Sequence, residues 1–203
     1  MFSFEDFLAR TEARLLKEPA ETWNRSDDDL NAKARMIPEG IKPKHAAVLV
    51  PIVLRDNPTV LLTQRHAGLS KHAGQIAFPG GRNDVGETPQ QAALREAQEE
   101  VGLEPSHVQM LGYLPNYLTV TAYQVTPVVA LVQPAFTLQL QRAEVDEAFE
   151  VPLSFLMNLE NCKRQAREWQ GVARQYYAYQ FGDRHIWGAT AGMIRSLHEQ
   201  LYS

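Results

Sequence analysis

Apolar residues along this chain form several short runs, each about the length of a β-strand and bounded by polar turns. The runs at residues 46–54 and 60–64 are joined by Arg-Asp-Asn-Pro, a turn composition, and this pattern predicts a β-hairpin. Further strands are predicted at 75–78, 108–114, 123–132 and 184–187, with a second hairpin formed by 163–169 and 174–181. With 203 residues, the chain is long enough for one domain with a sizeable core.

Helical periodicity occurs near both ends of the chain. Ser3 and Asp6 are suited to cap a first helix, which we expect to continue to about Lys17 and to end before Pro19. The apolar stripe of this helix consists of Phe4, Phe7, Leu8 and Leu15. A closing helix is predicted at residues 189–201.

The segment between the first helix and the first long strand is polar. Residues 20–44 include three consecutive aspartates, Pro38, Gly40 and Pro43, so they predict a lead-in with at most a short helix over 30–35. We expect residues 1–44 to pack on the core as an N-terminal helix and lead-in, and residues 45–203 to form the main domain.

The strongest helix signals lie in the middle of the chain. Thr88 is a good N-cap, Pro89 occupies the first helical position, and Gln91 completes a capping box with Thr88. Gly102 follows the last periodic residue, where a left-handed cap is expected. One face carries the apolar residues Leu94, Ala97 and Val101.

Three carboxylates cluster on the other side of this central helix. Glu96, Glu99 and Glu100 are helical neighbours, and like charges at such spacings destabilise a helix by about 0.2–0.5 kcal/mol per pair. A hard divalent cation would relieve this repulsion, because Mg²⁺ and Mn²⁺ take oxygen ligands and share them with substrate phosphates. The alternative interpretation is a solvated acidic helix face.

Charge and cysteine content narrow the class of protein. A net charge of −4 and an isoelectric point near 5.9 argue against a nucleic-acid or membrane-surface binder. The single cysteine, Cys162, excludes an internal disulfide framework. Because the longest apolar run is too short to span a bilayer and the N-terminus lacks a signal-peptide pattern, we expect a cytoplasmic location.

The spacing around the carboxylates carries a family resemblance. Gly81, five residues, Glu87, seven residues and then the sequence REAQEEVGL at 95–103 resemble the Nudix box of the Nudix hydrolases, with Ala97 where that family usually has a larger aliphatic residue. The resemblance implies an α/β fold, an α/β/α sandwich with a mixed β-sheet. It also implies Mg²⁺- or Mn²⁺-dependent cleavage of a diphosphate linked to another moiety.

The residues of the box can be given expected roles. Glu96, Glu99 and Glu100 are the expected catalytic residues and metal ligands, because ions held there would neutralise phosphate oxygens and lower the pKa of an attacking water. A backbone carbonyl at Gly80 or Gly81 is a further ligand candidate, since glycine lets the backbone approach closely. Arg95 and Glu87 are expected to pair and to support the loop before the helix, with metal binding by Glu87 as the alternative.

The segment just before the box resembles a second signature. The sequences LLTQR at 61–65 and KHAGQIAFPGG at 71–81 are similar to the motif of the coenzyme A pyrophosphatase branch of the Nudix family. His66 stands where that branch has serine or alanine, and Ser70 stands where it has arginine. Lys71 could supply the missing positive charge from the next position.

The resemblance implies hydrolysis of coenzyme A or its thioesters to 4′-phosphopantetheine, or its acyl form, and adenosine 3′,5′-bisphosphate. The cations nearest to the site in sequence, and so the expected substrate contacts, are Arg65, Lys71, His72 and Arg82. The general base is left open among Glu96, Glu99, Glu144 and Glu147.

Other functions stay open at this stage. The same chemistry could act on a nucleoside diphosphate sugar, a dinucleoside polyphosphate or a nucleoside triphosphate, and a non-catalytic Nudix binding module is a third hypothesis. The partner is in each case a small molecule rather than nucleic acid or a membrane, and the oligomeric state is open between monomer and homodimer.

Overall fold

A mixed β-sheet with helices on both faces forms the body of the molecule in the computed structural model, which describes residues 2–31, 35–169 and 171–203. The helices are α1 (Phe4–Arg14), α2 (Pro89–Val101), α3 (Leu153–Leu156) and α4 (Gly188–Tyr202). The first six strands are β1 (Trp23–Ser26), β2 (Lys44–Val53), β3 (Thr59–Arg65), β4 (Ile76–Ala77), β5 (Gly80–Arg82) and β6 (Val108–Tyr113). The others are β7 (Asn116–Leu118), β8 (Tyr123–Val132), β9 (Val145–Pro152), β10 (Cys162–Trp169), β11 (Val172–Phe181) and β12 (Arg184–Trp187).

The main sheet contains nine strands, in the order β1-β7-β8-β2-β3-β4, with β5 paired to β2, β6 to β8 and β9 to β3. The pairs β1/β7 and β2/β8 are parallel and the other pairs are antiparallel, so the sheet is mixed, as the family resemblance implies. Strands β10, β11 and β12 form a second, antiparallel sheet.

Alternation along the central strand β2 separates two cores. Ala47, Leu49 and Val53 face α2, and the intervening residues Ala46, Val50 and Ile52 face the opposite side. The first set packs with the apolar face of α2, and the second packs with residues of α1 and α4. The predicted α/β/α sandwich is thereby confirmed.

The first helix is shorter than its apolar stripe predicts. It ends at Arg14, because Leu15 adopts an extended conformation and is itself buried. Leu16 then exchanges backbone hydrogen bonds with Tyr113 at the end of β6, at distances of 3.0 and 2.9 Å. Pairing to the sheet therefore ends the helix before Pro19 can do so.

The polar lead-in contains a strand that was not predicted, because residues 23–26 form β1, which pairs with β7 at the edge of the sheet. Asp28 accepts hydrogen bonds from the backbone amides of Met36 and Ile37 and from Arg174 of β11. The helix considered over residues 30–35 lies partly outside the described residues. The boundary between 1–44 and 45–203 stays a prediction.

None of the described helices has the length and apolar character needed to cross a membrane.

Candidate active site

The carboxylate-bearing helix α2 begins and ends at the residues predicted from its caps. The Thr88 hydroxyl accepts from the Gln91 amide at 3.3 Å, and the Gln91 side chain accepts from the Thr88 amide at 2.9 Å. Gly102 ends the helix in the left-handed conformation, with φ of 71°. Since local signals fix both ends, the rotational position of its carboxylates is fixed as well.

Two glycines bring the sheet backbone against this helix. Gly80 and Gly81 belong to β5, which pairs with β2 opposite Val48 and Ala47. A Cβ atom on Gly80 would collide with the Ala47 carbonyl, and one on Gly81 would collide with the carboxylate of Glu96. The absence of side chains at these positions therefore allows the approach of helix and strand.

Glu100 is the most deeply buried carboxylate of the cluster. Its side chain accepts a hydrogen bond of 3.2 Å from the Gly80 amide, and Nη1 of Arg65 lies 3.7 Å from Oε1. Burial raises the pKa of Glu100 to about 7, and the negative charges of Glu96 and Glu144 act in the same direction. The Gly80 amide and Arg65 only partly oppose this rise.

Arg95 connects three other carboxylates. It forms a bidentate pair with Glu87 at 2.9 and 3.0 Å, which joins the loop before α2 to the helix. Its Nη1 also donates to Glu96 at 2.8 Å and to Glu99 at 3.1 Å. Glu87, and to a lesser extent Glu96, raises the pKa of Arg95 further and keeps it charged, so that the guanidinium neutralises part of the cluster.

Glu96 and Glu99 differ in their surroundings. Burial raises the pKa of Glu96, although Arg95 lowers it in part, and the Glu96 side chain is only 17% exposed. The side chain of Glu99 is 61% exposed and faces solvent at the helix surface. The cluster therefore grades from a buried end at Glu100 to an open end at Glu99.

The cations expected to contact substrate are distributed unevenly. Arg65 lies at the end of β3, against Glu100. Lys71 and His72 lie in an exposed loop, where His72 hydrogen-bonds the Gln75 side chain at 2.9 Å. The side chain of Arg82 is exposed, and its carbonyl accepts a hydrogen bond from Arg95. Arg65 is thus brought to the carboxylates, whereas no hydrogen bond or ion pair among the described residues joins Lys71, His72 or the Arg82 side chain to them.

The two later acidic candidates have different partners. Both oxygens of Glu147 bind Arg184 of β12, at 2.7 and 2.6 Å, and this pairing lowers the pKa of Glu147. Glu144 is exposed in the turn before β9, and its charge contributes to the raised pKa values of Glu96 and Glu100. Glu144 therefore belongs electrostatically to the site.

Sequence reasoning missed two contacts around this site. One is the Glu147–Arg184 pair, and the other is a hydrogen bond of 2.5 Å between His66 and Asp146. These pairs join residues 37 and 80 positions apart, so local spacing contains no signal for either of them. The unusual histidine at position 66 was the only indication.

The donor set suits a hard divalent cation. Glu96 and Glu100 are carboxylates whose pKa values are raised by burial, so additional positive charge beside them would be favourable. Within the described ranges, no group of three or more His, Cys, Asp or Glu side chains has the geometry of a formed metal site. Since Arg95 engages Glu96 and Glu99, these side chains would have to turn from it to bind metal.

Comparison with known proteins agrees with this geometry. A model of the NUDIX domain matches residues 43–173. A Nudix hydrolase of Escherichia coli K12, named NudL and described as uncharacterized, is 42% identical over 164 residues, covering 80% of this chain and 85% of that protein. NudL of Escherichia coli O6:H1 is 43% identical over the same length and shares of the chains.

Solved structures support the same fold. A MutT/nudix family protein from Enterococcus faecalis has a TM-score of 0.51 and 18% identity, covering 79% of this chain and 62% of that one. DR0079 from Deinococcus radiodurans has a TM-score of 0.51 and 13% identity, covering 82% and 88%. The family model covers more than half of this chain, and the two relatives are more than 30% identical to it. The chain therefore belongs to the Nudix family and is a Nudix hydrolase.

Proposed function

We propose that this Nudix hydrolase cleaves the diphosphate of coenzyme A or its thioesters, giving 4′-phosphopantetheine, or its acyl form, and adenosine 3′,5′-bisphosphate. The observation that carries the proposal is the contact between the two motifs. Arg65 ends the LLTQR segment and Gly80 lies in the FPGG segment, and both contact the same buried carboxylate, Glu100. The upstream signature is therefore built into the site rather than merely adjacent to it in sequence.

Nudix hydrolases generally use divalent metal ions such as Mg²⁺ or Mn²⁺. In this chain the proposed ligands are Glu96, Glu99 and Glu100, with the Gly80 carbonyl as a further oxygen. A bound metal would neutralise phosphate oxygens and lower the pKa of the attacking water. The number of ions and the choice between Mg²⁺ and Mn²⁺ are open.

The protein's own groups position the reactants. Arg95, held by Glu87, fixes the helix against the preceding loop and compensates the charge of the carboxylates. Arg65, Lys71, His72 and Arg82 provide positive charge for the anionic groups of the substrate, including a 3′-phosphate. Because a diphosphate repels nucleophiles, this positioning and charge compensation are expected to supply most of the catalysis.

For the general base, the contacts favour Glu144 over Glu147. Both oxygens of Glu147 already accept from Arg184, and a carboxylate with a lowered pKa is a weaker base. No described residue donates a hydrogen bond to the Glu144 carboxylate, which is exposed beside the cluster. Glu96 and Glu99 stay alternatives where metal leaves one of them unbound.

The second candidate is another nucleoside diphosphate derivative, namely an NDP-sugar, a dinucleoside polyphosphate or an NTP. Ser70 is the observation that favours it, because this serine replaces the arginine of the coenzyme A signature and is exposed in the loop. A non-catalytic binding module is disfavoured, since all three carboxylates of the box are retained.

The test is hydrolysis of free coenzyme A with Mg²⁺ and then Mn²⁺, with products identified by mass. Glu100→Gln should reduce turnover by about 10³-fold, because it removes a charge that acts on the transition state through metal. Glu104→Gln, which changes a carboxylate just beyond the end of the same helix, should retain activity within about twofold.

Three outcomes are informative. Metal-dependent release of adenosine 3′,5′-bisphosphate that is lost in Glu100→Gln supports the proposal in full. Turnover of another nucleotide diphosphate in preference to coenzyme A and its thioesters contradicts the substrate and favours the second candidate. Tight nucleotide binding without turnover of any of these compounds contradicts the assigned reaction.

A further inference from the structure

The loop at residues 66–74 has a fixed base and an open tip. At its base, the Arg65 amide donates to the Gln75 carbonyl at 2.9 Å, and the Gly74 amide donates to the Arg65 carbonyl at 3.1 Å. Beyond these bonds none of the loop residues is buried, and Lys71 and His72 are exposed at the tip. Apolar packing therefore contributes little to the direction in which the loop leaves the sheet.

One carboxylate holds the start of this loop. Oδ1 of Asp146 lies 2.5 Å from Nδ1 of His66, and Oδ2 accepts a hydrogen bond of 2.9 Å from the Ala67 amide. The His66 amide in addition donates to the Glu144 carbonyl at 2.8 Å. Two consecutive loop residues are thus bound at three points to the start of β9 and to the turn before it.

Asp146 is the anchored side of this contact. Strand β9 pairs with β3 along most of its length, with Arg65 opposite Val145 and Gln64 opposite Glu147. Arg142 also donates to the Asp146 carbonyl at 2.7 Å. Because the carboxylate is carried by the sheet, it determines where the loop begins, and not the reverse.

The contact of Asp146 with the start of the loop lies next to the residues that adjoin the carboxylate cluster. The Arg65 side chain, immediately before the loop, contacts Glu100, and Glu144, two residues before Asp146, contributes its charge to the same cluster. A change in direction at positions 66 and 67 would be transmitted to the loop tip that carries Lys71 and His72. His66 stands where the branch signature has serine or alanine, and its ring nitrogen is the group that binds Asp146.

We propose that Asp146 and His66 are positioning residues that direct the 66–74 loop toward the substrate. The proposal rests on the proposed function for the part of the loop that contacts substrate. An exposed polar pair contributes little to folding stability. The effect is therefore expected in substrate binding rather than in stability.

The kinetic test uses Asp146→Ala and the nucleotide diphosphate that the wild type hydrolyses. We expect KM to rise about tenfold with kcat within about twofold, since the loop is misdirected while the carboxylate cluster is intact. His66→Ala should raise KM in the same way, and His66→Asn should restore it in large part, because its side-chain N–H can donate to Asp146. Glu150→Gln, on the same strand but paired with Arg55, is the matched control and should leave KM unchanged.

The second measurement does not depend on the identity of the substrate. Hydrogen exchange at the Ala67 amide should be faster in Asp146→Ala than in the wild type, by about tenfold or more, and unchanged in Glu150→Gln. Unchanged exchange in Asp146→Ala overturns the proposal even where no substrate is found. Faster exchange with an unchanged KM overturns the role in substrate binding, whereas failure to cleave coenzyme A alone counts only against the substrate assignment.

Discussion

Asp28 and Glu100 are buried to nearly the same degree, at 5% and 4% exposed, but the protein surrounds them differently. Asp28 accepts hydrogen bonds from two backbone amides and pairs with Arg174 at 2.6 Å, and these donors lower its pKa despite burial. Glu100 has one amide and a guanidinium at 3.7 Å, and its pKa rises to about 7.

This difference distinguishes a structural carboxylate from a functional one. Where the fold supplies a full set of donors, as at Asp28, the charge joins the lead-in to β11 and needs nothing further. Where the fold leaves a buried carboxylate short of positive charge, as at Glu100, a ligand must supply the remainder. The same contrast recurs near the surface, where Arg184 satisfies Glu147 and no described residue donates to the Glu144 side chain.

The largest effect is expected at the structural carboxylate. Asp28→Ala should lower the free energy of unfolding by about 3–5 kcal/mol, because it removes the buried carboxylate that accepts from two backbone amides and pairs with Arg174. Urea unfolding measures this loss, and kcat of the remaining folded protein should be unchanged. In the metal-free protein at neutral pH, Glu100→Gln should not destabilise, because it removes a buried charge whose ionisation opposes folding. A larger loss of free energy of unfolding in Glu100→Gln than in Asp28→Ala would contradict the assignment of Asp28 as the structural carboxylate.

Opposite pKa shifts give opposite dependences of stability on pH. The pKa of Glu100 is higher in the folded protein than its ordinary value of 4.5, so the folded state holds the proton more tightly than the unfolded state. The metal-free protein therefore loses stability as pH rises above about 4.5, and the loss is complete above about pH 7. The loss amounts to about 3 kcal/mol. The free energy of unfolding can be measured with urea in the presence of a chelator for both wild type and Glu100→Gln. The wild-type value minus the variant value should decrease from about pH 4 to about pH 8, and added Mn²⁺ should make this decrease smaller.

Asp28 provides the counterpart in the same experiment. Its folded pKa is lowered, so its stabilisation is present above the unfolded pKa and is lost as pH falls through the folded pKa. The free energy of unfolding of the wild type minus that of Asp28→Asn should therefore decrease toward acid pH. If the two differences in free energy of unfolding changed with pH in the same direction, the hydrogen-bond donors around Asp28 and Glu100 would not distinguish the two carboxylates.

The sequence predicted the helix that carries the site better than the edges of the sheet. The ends of α2 are specified by Thr88, Gln91 and Gly102 through contacts within four or five residues. An apolar run likewise predicted β8 at residues 123–132, and the two segments flanking Gln170-Gly171 in the sequence predicted the β10–β11 hairpin. In these elements, local preference and tertiary packing agree.

The missed elements depend on distant partners. Strand β1 is polar and short, and it exists because β7 pairs with it across about ninety residues of chain. The predicted carboxylates and Arg65 adjoin one another, but the neutralisation of Glu96 and Glu99 by Arg95 and the pairing of His66 with Asp146 were not foreseen. Spacing indicates which residue types are present, whereas partners distant in sequence are determined only by the folded chain.

A smaller effect is expected when a carboxylate of the cluster is displaced without being removed. Gly81→Ala places a methyl group against the Glu96 carboxylate, which is the end of a flexible side chain and can move. We expect kcat to fall about 10²-fold, since small displacements of catalytic groups have large effects, with little change in Tm. Gly80→Ala is the contrasting variant, because its collision is with the backbone of β2 and should lower Tm. An active Gly81→Ala would show that the position of Glu96 is unimportant.

The smallest effect separates the two acidic residues near β9. Glu144→Gln should reduce kcat about tenfold, because it removes an unpaired carboxylate whose charge acts on Glu96 and Glu100. Glu147→Gln should change kcat by less than about threefold, since this carboxylate is already satisfied by Arg184. Steady-state kinetics at saturating substrate measures both. A larger fall in kcat in Glu147→Gln than in Glu144→Gln would mean that a paired carboxylate can leave its arginine during turnover. The number of hydrogen-bond donors around a carboxylate in the resting protein would then no longer distinguish a functional carboxylate from a structural one.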